Sequence, residues 1–148
     1  MKELIDTGTM LNVLSLEDSI PDYVIICEQL TNAGYLLNIE RVEDEAEFAS
    51  SIQNNKWDII LGDFNLPSYD AFAALELCKE ICPDIPFICV SGSIGEETAT
   101  ELIKKGAVDY ILKDRLGRLP SAIKRVLHEA EEKVARQKVE KNLKISEE

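Results

Sequence analysis

Basic residues are scarce in this chain, and that scarcity is the first constraint on what it does. Sixteen Lys and Arg stand against 28 Asp and Glu, a formal net charge of −12 at neutral pH. Such a surface repels a polyanion, so no direct nucleic-acid partner is expected. No apolar run approaches the roughly 18 residues of a membrane-spanning helix, so no membrane partner is expected either. The opening Met1-Lys2-Glu3-Leu4-Ile5-Asp6-Thr7-Gly8 lacks the pattern of a secretory signal, and the expected location is cytoplasmic. No glycine-rich turn follows the first strand. Glu17-Asp18-Ser19-Ile20-Pro21 stands there instead, which argues against a flavin or dinucleotide site. The four cysteines, Cys27, Cys78, Cys82 and Cys89, each sit among apolar neighbours. Cys78 and Cys82 share a helix face and would suit one half of a zinc site, but buried free thiols are the simpler reading.

Core-forming residues are plentiful: 45% of 148 residues are hydrophobic, enough for one globular domain. Apolar, β-branched runs at 11–16, 36–40, 57–62, 87–90 and 108–112 read as strands. Helical patterns lie between them. Pro21 opens the first helix and Gly34 closes it. The second covers 43–54, with Ala46, Ala49 and Ile52 inward. The third covers 69–82, with Phe72, Leu75 and Leu77 as core candidates, and the fourth covers 96–105, closed by Gly106. A fifth starts near Leu119-Pro120 and has no evident stop. Strands alternating with helices predict an α/β fold, a parallel sheet covered on both faces by right-handed crossovers.

The tail differs from the body. Residues 1–114 carry seven basic against 22 acidic residues, whereas 115–148 carry nine against six. Ile123, Leu127, Ala130 and Val134 follow a helical spacing, and Val139 and Leu143 continue the stripe after a break in phase. A domain needs only the first part of such a helix to cover its sheet. The remainder reads as an amphipathic or coiled-coil projection, or as a solvated tail.

The third strand, Asp58-Ile59-Ile60-Leu61-Gly62, ends abruptly on Asp63, and the first ends on Glu17-Asp18. Parallel strands deliver such residues to their carboxyl edge, where open α/β sheets bind ligands. Carboxylates crowded together repel unless a hard cation relieves them. Strand four contributes Ser91 and strand five Lys113. A cation-binding acid pair, a carboxylate free to attack phosphorus, a hydroxyl and an ammonium form a complementary set for phosphoryl chemistry.

On the motifs Leu16-Glu17-Asp18-Ser19, Ile60-Leu61-Gly62-Asp63-Phe64-Asn65-Leu66-Pro67, Val90-Ser91-Gly92 and Gly106-Ala107-Val108-Asp109-Tyr110-Ile111-Leu112-Lys113, the chain resembles the receiver domains of two-component response regulators over about residues 11 to 130. The resemblance implies a flavodoxin-like (βα)5 doubly wound sheet of order 2-1-3-4-5 with an extended C-terminal helix. It divides the chain into an N-terminal extension over 1–10, the receiver over 11–130 and a helical linker over 131–148. It implies that Asp63 accepts a phosphoryl group from a sensor histidine kinase or phosphotransfer protein. Asp18, Asp63 and the backbone carbonyl of Asn65 would ligate Mg2+, and Glu17 would hold a water of its shell. Lys113 would pair with Asp63 or its phosphoryl group. Ser91 would move to bond that group while Tyr110 swings inward, a two-state switch. The tail resembles the lead into a following sensor or output module, and a dimer through the C-terminal helix is also consistent with it.

The chain departs from the family pattern in places. Asp114 follows Lys113 where proline in cis is commonest, Ser91 stands for threonine, and Gly62 before Asp63 would ease a close backbone approach. Ser91 and Ser93 would also suit helix caps. His128-Glu129 lacks the rest of a kinase phosphoacceptor motif, so the lone histidine reads as a solvated or packing residue. Two other functions stay open. A haloacid dehalogenase-like Mg2+-dependent phosphatase also uses a strand-end Asp, but it wants a general acid two residues on, where this chain has Asn65. A protein-interaction module independent of phosphorylation is the third. In the preferred reading the chain is a switch and acts as a catalyst only on its own Asp63.

Overall fold

The computed structural model describes residues 10–54 and 56–147. The N-terminal extension through residue 9 and the side chain of Leu143 in the tail stripe lie outside the described residues. Five strands alternate with five α-helices: β1 (Met10–Leu16), α1 (Ile20–Asn32), β2 (Leu36–Val42), α2 (Glu45–Asn54), β3 (Ile59–Gly62), α3 (Ala71–Ile81), β4 (Phe87–Ser91), α4 (Glu96–Lys104), β5 (Asp109–Leu112) and α5 (Leu119–Glu147). A 3-10 turn over Lys113–Arg118 joins β5 to α5. All pairings are parallel, and the order is β2-β1-β3-β4-β5. The flavodoxin-like doubly wound sheet with a long last helix is therefore the fold.

The two-residue period of the strands sorts the core into two layers. Leu11, Val13, Ile59, Leu61, Ile88, Val90 and Ile111 meet α1 and α5 through Ile26, Leu30, Leu119, Ile123 and Val126. Leu14, Leu16, Ile60, Phe87 and Cys89 meet the opposite layer through Phe48, Ile52, Ala74, Leu75 and Leu102. Strands buried on both sides need apolar residues at nearly every position, which is why β3 and most of β4 read as apolar runs, while β1 is interrupted by Asn12 and Ser15. The edge strand β2 alternates between exposed and half-buried residues.

Local chemistry sets the helix ends. The Ser19 hydroxyl accepts from the Asp22 backbone N–H at 3.3 Å and caps α1, and Gly34 takes a φ of 104° just past its end. Asp44 caps α2 by accepting from Glu47 N, while the Glu47 carboxylate reaches back to Glu43 N, both at 2.9 Å. That reciprocal box is why α2 starts later than its acidic run implies. Asp70 caps α3.

The inward faces differ in part from the sequence reading. On α2 the buried residues are Phe48, Ser51 and Ile52, while Ala46 is exposed and Ala49 half-buried. The large ring takes the inner position that two alanines would leave thin. On α3, Ala71, Ala74, Leu75 and Cys78 point inward at i, i+3, i+4 and i+7, leaving Phe72 and Leu77 half-buried. All four cysteines are free thiols. Burial pushes the Cys89 thiol up to about 12 and raises Cys78 further, and no cysteine joins a metal-ligand cluster among the described residues. Ser93 does not cap α4, whose cap position is Gly95. None of the described peptide bonds is cis, so Lys113–Asp114 is trans.

Gly62 answers to packing. A Cβ there would lie 2.4 Å from Phe87 Cζ, a core ring 1% exposed. The absent side chain thus makes room for a ring on the adjoining strand. Gly62→Ala is expected to lower stability by about 1–3 kcal/mol through overpacking, and Phe87→Leu in the same chain to restore part of the loss; urea unfolding of the three variants measures both.

Candidate functional site

Register brings the site together. Leu16 pairs with Gly62, Gly62 with Cys89, and Ser91 with Leu112. Glu17 and Asp63 therefore emerge side by side at one level, and Lys113, two residues beyond that level on β5, reaches back to them with its long side chain. Backbone bonds fix the first two: Glu17 N donates to Val42 O at 2.9 Å and Asp63 N to Leu16 O at 3.0 Å. Each continues the odd-numbered positions of its strand, the α1–α5 side, so the period of two aims all three side chains at one place. Ser91 continues Phe87 and Cys89 and belongs to the other side. Tyr110, paired with Cys89, lies half-buried against that same layer.

Glu17 and Asp63 are 2% and 3% exposed, whereas Asp18 is exposed. One carboxylate oxygen from each lies within 4.8 Å of the others, a three-acid set able to hold a metal ion. Hard oxygen donors of this kind suit Mg2+ or Ca2+ and disfavour softer metals. Lys113 Nζ reaches Asp63 Oδ2 at 2.9 Å, Glu17 at 3.0 Å and Asp22 Oδ2 at 2.7 Å. The other Asp63 oxygen accepts from Asn65 N at 2.9 Å. Asn65 Nδ2 donates to Ser91 Oγ at 2.9 Å, tying strand-four hydroxyl to the loop after Asp63. Glu17 Oε2 also accepts from Ser19 N at 3.0 Å, and Arg41 donates to the Glu17 carbonyl at 3.1 Å.

The electrostatics follow from this packing. Burial pushes Glu17 up to about 7 against the opposing bonds from Ser19 N and Lys113, with the Asp63 charge adding to the rise. Burial would lower Lys113, but its bonds to Asp22, Asp63 and Glu17 outweigh that and hold it above the ordinary lysine range. The Lys113 bond holds Asp22 below the usual aspartate value. A buried carboxylate flanked by a fixed cation and by two further acids has the chemistry to attack an electrophile whose charge a metal would offset.

The structure thus gathers Glu17, Asp18, Asp63, Asn65, Ser91 and Lys113 at one sheet edge, with Tyr110 two residues along the strand face from Ser91. Asp22 was missed. It lies in the first turn of α1, where an acid reads as a helix-dipole partner, and only the fold shows that this turn overhangs Lys113. His128 is exposed on α5 and within 3.3 Å of Glu132, remote in sequence and element from this edge.

Comparison with known proteins places this geometry. Residues 13–124 match the family model described as response regulator receiver domain. Over 107 residues the chain is 27% identical to the transcriptional regulatory protein ZraR of Escherichia coli K12, covering 72% of this chain and 24% of that protein. The chain spans about a quarter of the length of such relatives. A CheY-like response regulator receiver domain protein from Methanospirillum hungatei JF-1 superposes with a TM-score of 0.75 at 25% identity, covering 84% of this chain and 99% of that one. The receiver domain of the sensor histidine kinase PA1611 from Pseudomonas aeruginosa PAO1, solved with a magnesium ion in its active-site cleft, does so at 0.68 and 22% identity, over 82% and 98%. The matched segment contains the acids, the serine and the lysine that the register of the sheet assembles, and the chain belongs to the response regulator receiver domain family, the signalling switches of two-component systems.

Proposed function

We propose that Asp63 is the phosphoacceptor and that a histidine kinase or phosphotransfer protein supplies the phosphoryl group. The observation that carries this is the lysine-clamped, 3%-exposed Asp63 carboxylate beside two more acids at level strand ends. One Asp63 oxygen bonds to phosphorus as the bond from phosphorus to the donor imidazole breaks, and attack by water later returns the carboxylate and inorganic phosphate. Mg2+, where bound, neutralises charge on the transferring group. Asp18, Asp63 and the Asn65 carbonyl would hold it, with Glu17 on its shell. Lys113, already fixed beside Asp63, balances the added negative charge. Ser91 exchanges its Asn65 partner for a phosphoryl oxygen, and the half-buried Tyr110 turns into the space that this leaves.

The haloacid dehalogenase-like reading has less support. Asn65 supplies no proton at the position of a general acid, and its amide is engaged by Ser91. Cytoplasmic location accords with the domain's role, and no described helix is long and apolar enough to cross a membrane. We place the receiver at 11–130. The helix beyond it, exposed at every described position from 131 to 141, fits the link to a following sensor or output module, as well as a dimer contact along its Val134 and Val139 stripe.

Incubation with acetyl phosphate and Mg2+ is expected to add one phosphoryl group, at Asp63 alone. Chelation or Asp63→Asn abolishes it, and intact-mass and peptide mass spectrometry read the result; rapid turnover of phosphate esters would favour the phosphatase instead. The raised Glu17 value sets a pH dependence. Its folded form binds a proton that the unfolded chain releases between about 4.5 and about 7, so metal-free protein loses stability as pH rises through that window. Glu17→Gln is expected to remove this slope and saturating Mg2+ to flatten it, as measured by urea midpoints at stepped pH.

A further inference from the structure

We propose that Asp22 is a positioning residue for phosphoryl transfer, acting through Lys113. The proposal rests on the assignment of Asp63 as phosphoacceptor. An ammonium carries three N–H donors, and here three carboxylates take them. Asp63 comes from the end of β3, Glu17 from the end of β1, and Asp22 from the first turn of α1 at 2.7 Å, the shortest of the three. Lys113 is 16% exposed in its side chain and Asp22 32%, so the pair is only partly screened by water.

The three partners fare differently during transfer. Asp63 ceases to be a full carboxylate once an oxygen is bonded to phosphorus. Glu17 is drawn on by the metal shell. Asp22 alone keeps both its charge and its position, because Ser19 fixes its backbone as the cap of α1. It therefore holds the ammonium over the site through the whole exchange. Without it, a long side chain with four rotatable bonds must be ordered by the reacting groups themselves. Asp22 does not draw Lys113 away from the acceptor, since both contacts are made at once, at 2.7 and 2.9 Å.

A negative charge near an anionic donor also acts with the opposite sign, by slowing its approach. The two effects separate in a double-mutant cycle. The rate of Asp63 phosphorylation by acetyl phosphate at saturating Mg2+ is measured for the full chain, for Asp22→Asn, for Lys113→Met and for the double variant. Anchoring predicts that Asp22→Asn slows labelling by about tenfold, the worth of one charged hydrogen bond, and has no further effect once Lys113 is gone. Equal labelling by wild type and Asp22→Asn, or faster labelling in both lysine backgrounds, overturns it. Absence of Asp63 labelling in wild type sinks the phosphoacceptor assignment instead. A second measurement needs neither phosphoryl transfer nor the lysine variant. In 15N-lysine-labelled protein the Lys113 ammonium is expected to exchange its protons several-fold faster in Asp22→Asn, at an unchanged urea midpoint. Unchanged exchange and 15N shift overturn the proposal whatever the labelling shows.

Discussion

One ammonium surrounded by carboxylates is the constraint on which the rest of this molecule depends. Glu17 and Asp63 are almost fully removed from water, a placement that costs several kcal/mol per charge unless it is compensated. Lys113 compensates both, and it arrives from the far side of the sheet, 96 residues after Glu17. The fold must therefore hold β1, β3 and β5 in register to within a fraction of a residue. A slip of one position would turn each charged side chain to the opposite layer and leave it unpaired among apolar groups.

That requirement explains why the site concentrates chemistry at the expense of stability. Packing alone would favour apolar residues at the strand ends. The chain instead places acids there, lifts Glu17 toward neutrality by burial, and, among the described residues, engages each buried polar side-chain atom with a partner. The unmodified state is electrostatically poised: among four acids, Glu17, Asp18, Asp22 and Asp63, Lys113 is paired with three, while Arg41 reaches only the Glu17 carbonyl, and further positive charge is accommodated more readily than further negative charge. A divalent ion is the natural complement, and with it the site has charge enough to receive a phosphoryl group.

Much of this was legible in the sequence because strands carry their signal locally. The run Ile59-Ile60-Leu61-Gly62 ending on Asp63, and the same pattern ending at Glu17 and Lys113, announce both the sheet and its functional edge. Which side the acids occupy is not in these runs, because the strands are apolar on both faces and only the packed layers tell the two apart. What was not legible depends on partners distant in sequence. Phe48 outweighing Ala46 and Ala49 is decided by its packing against Tyr69 and the layer it shares with α3, and the need for Gly62 by a ring on another strand. Asp22 carries only the local signal of a first-turn acid, and its partner Lys113 lies 91 residues away. Ser93 looked like a helix cap, but the chain runs on two residues further before α4 begins.

The 3-10 turn that starts at Lys113 kinks at Arg115 and then leads into α5. That helix is seated against the sheet by Leu119, Ile123 and Val126 and then continues to Glu147, exposed at every described position from 131 to 141. At 1.5 Å per residue the free portion past residue 130 is an arm of about 25 Å. A tilt of roughly 5° at its root displaces its tip by about 2 Å, so a small reorientation where the helix leaves the sheet near residue 130 is magnified at its far end.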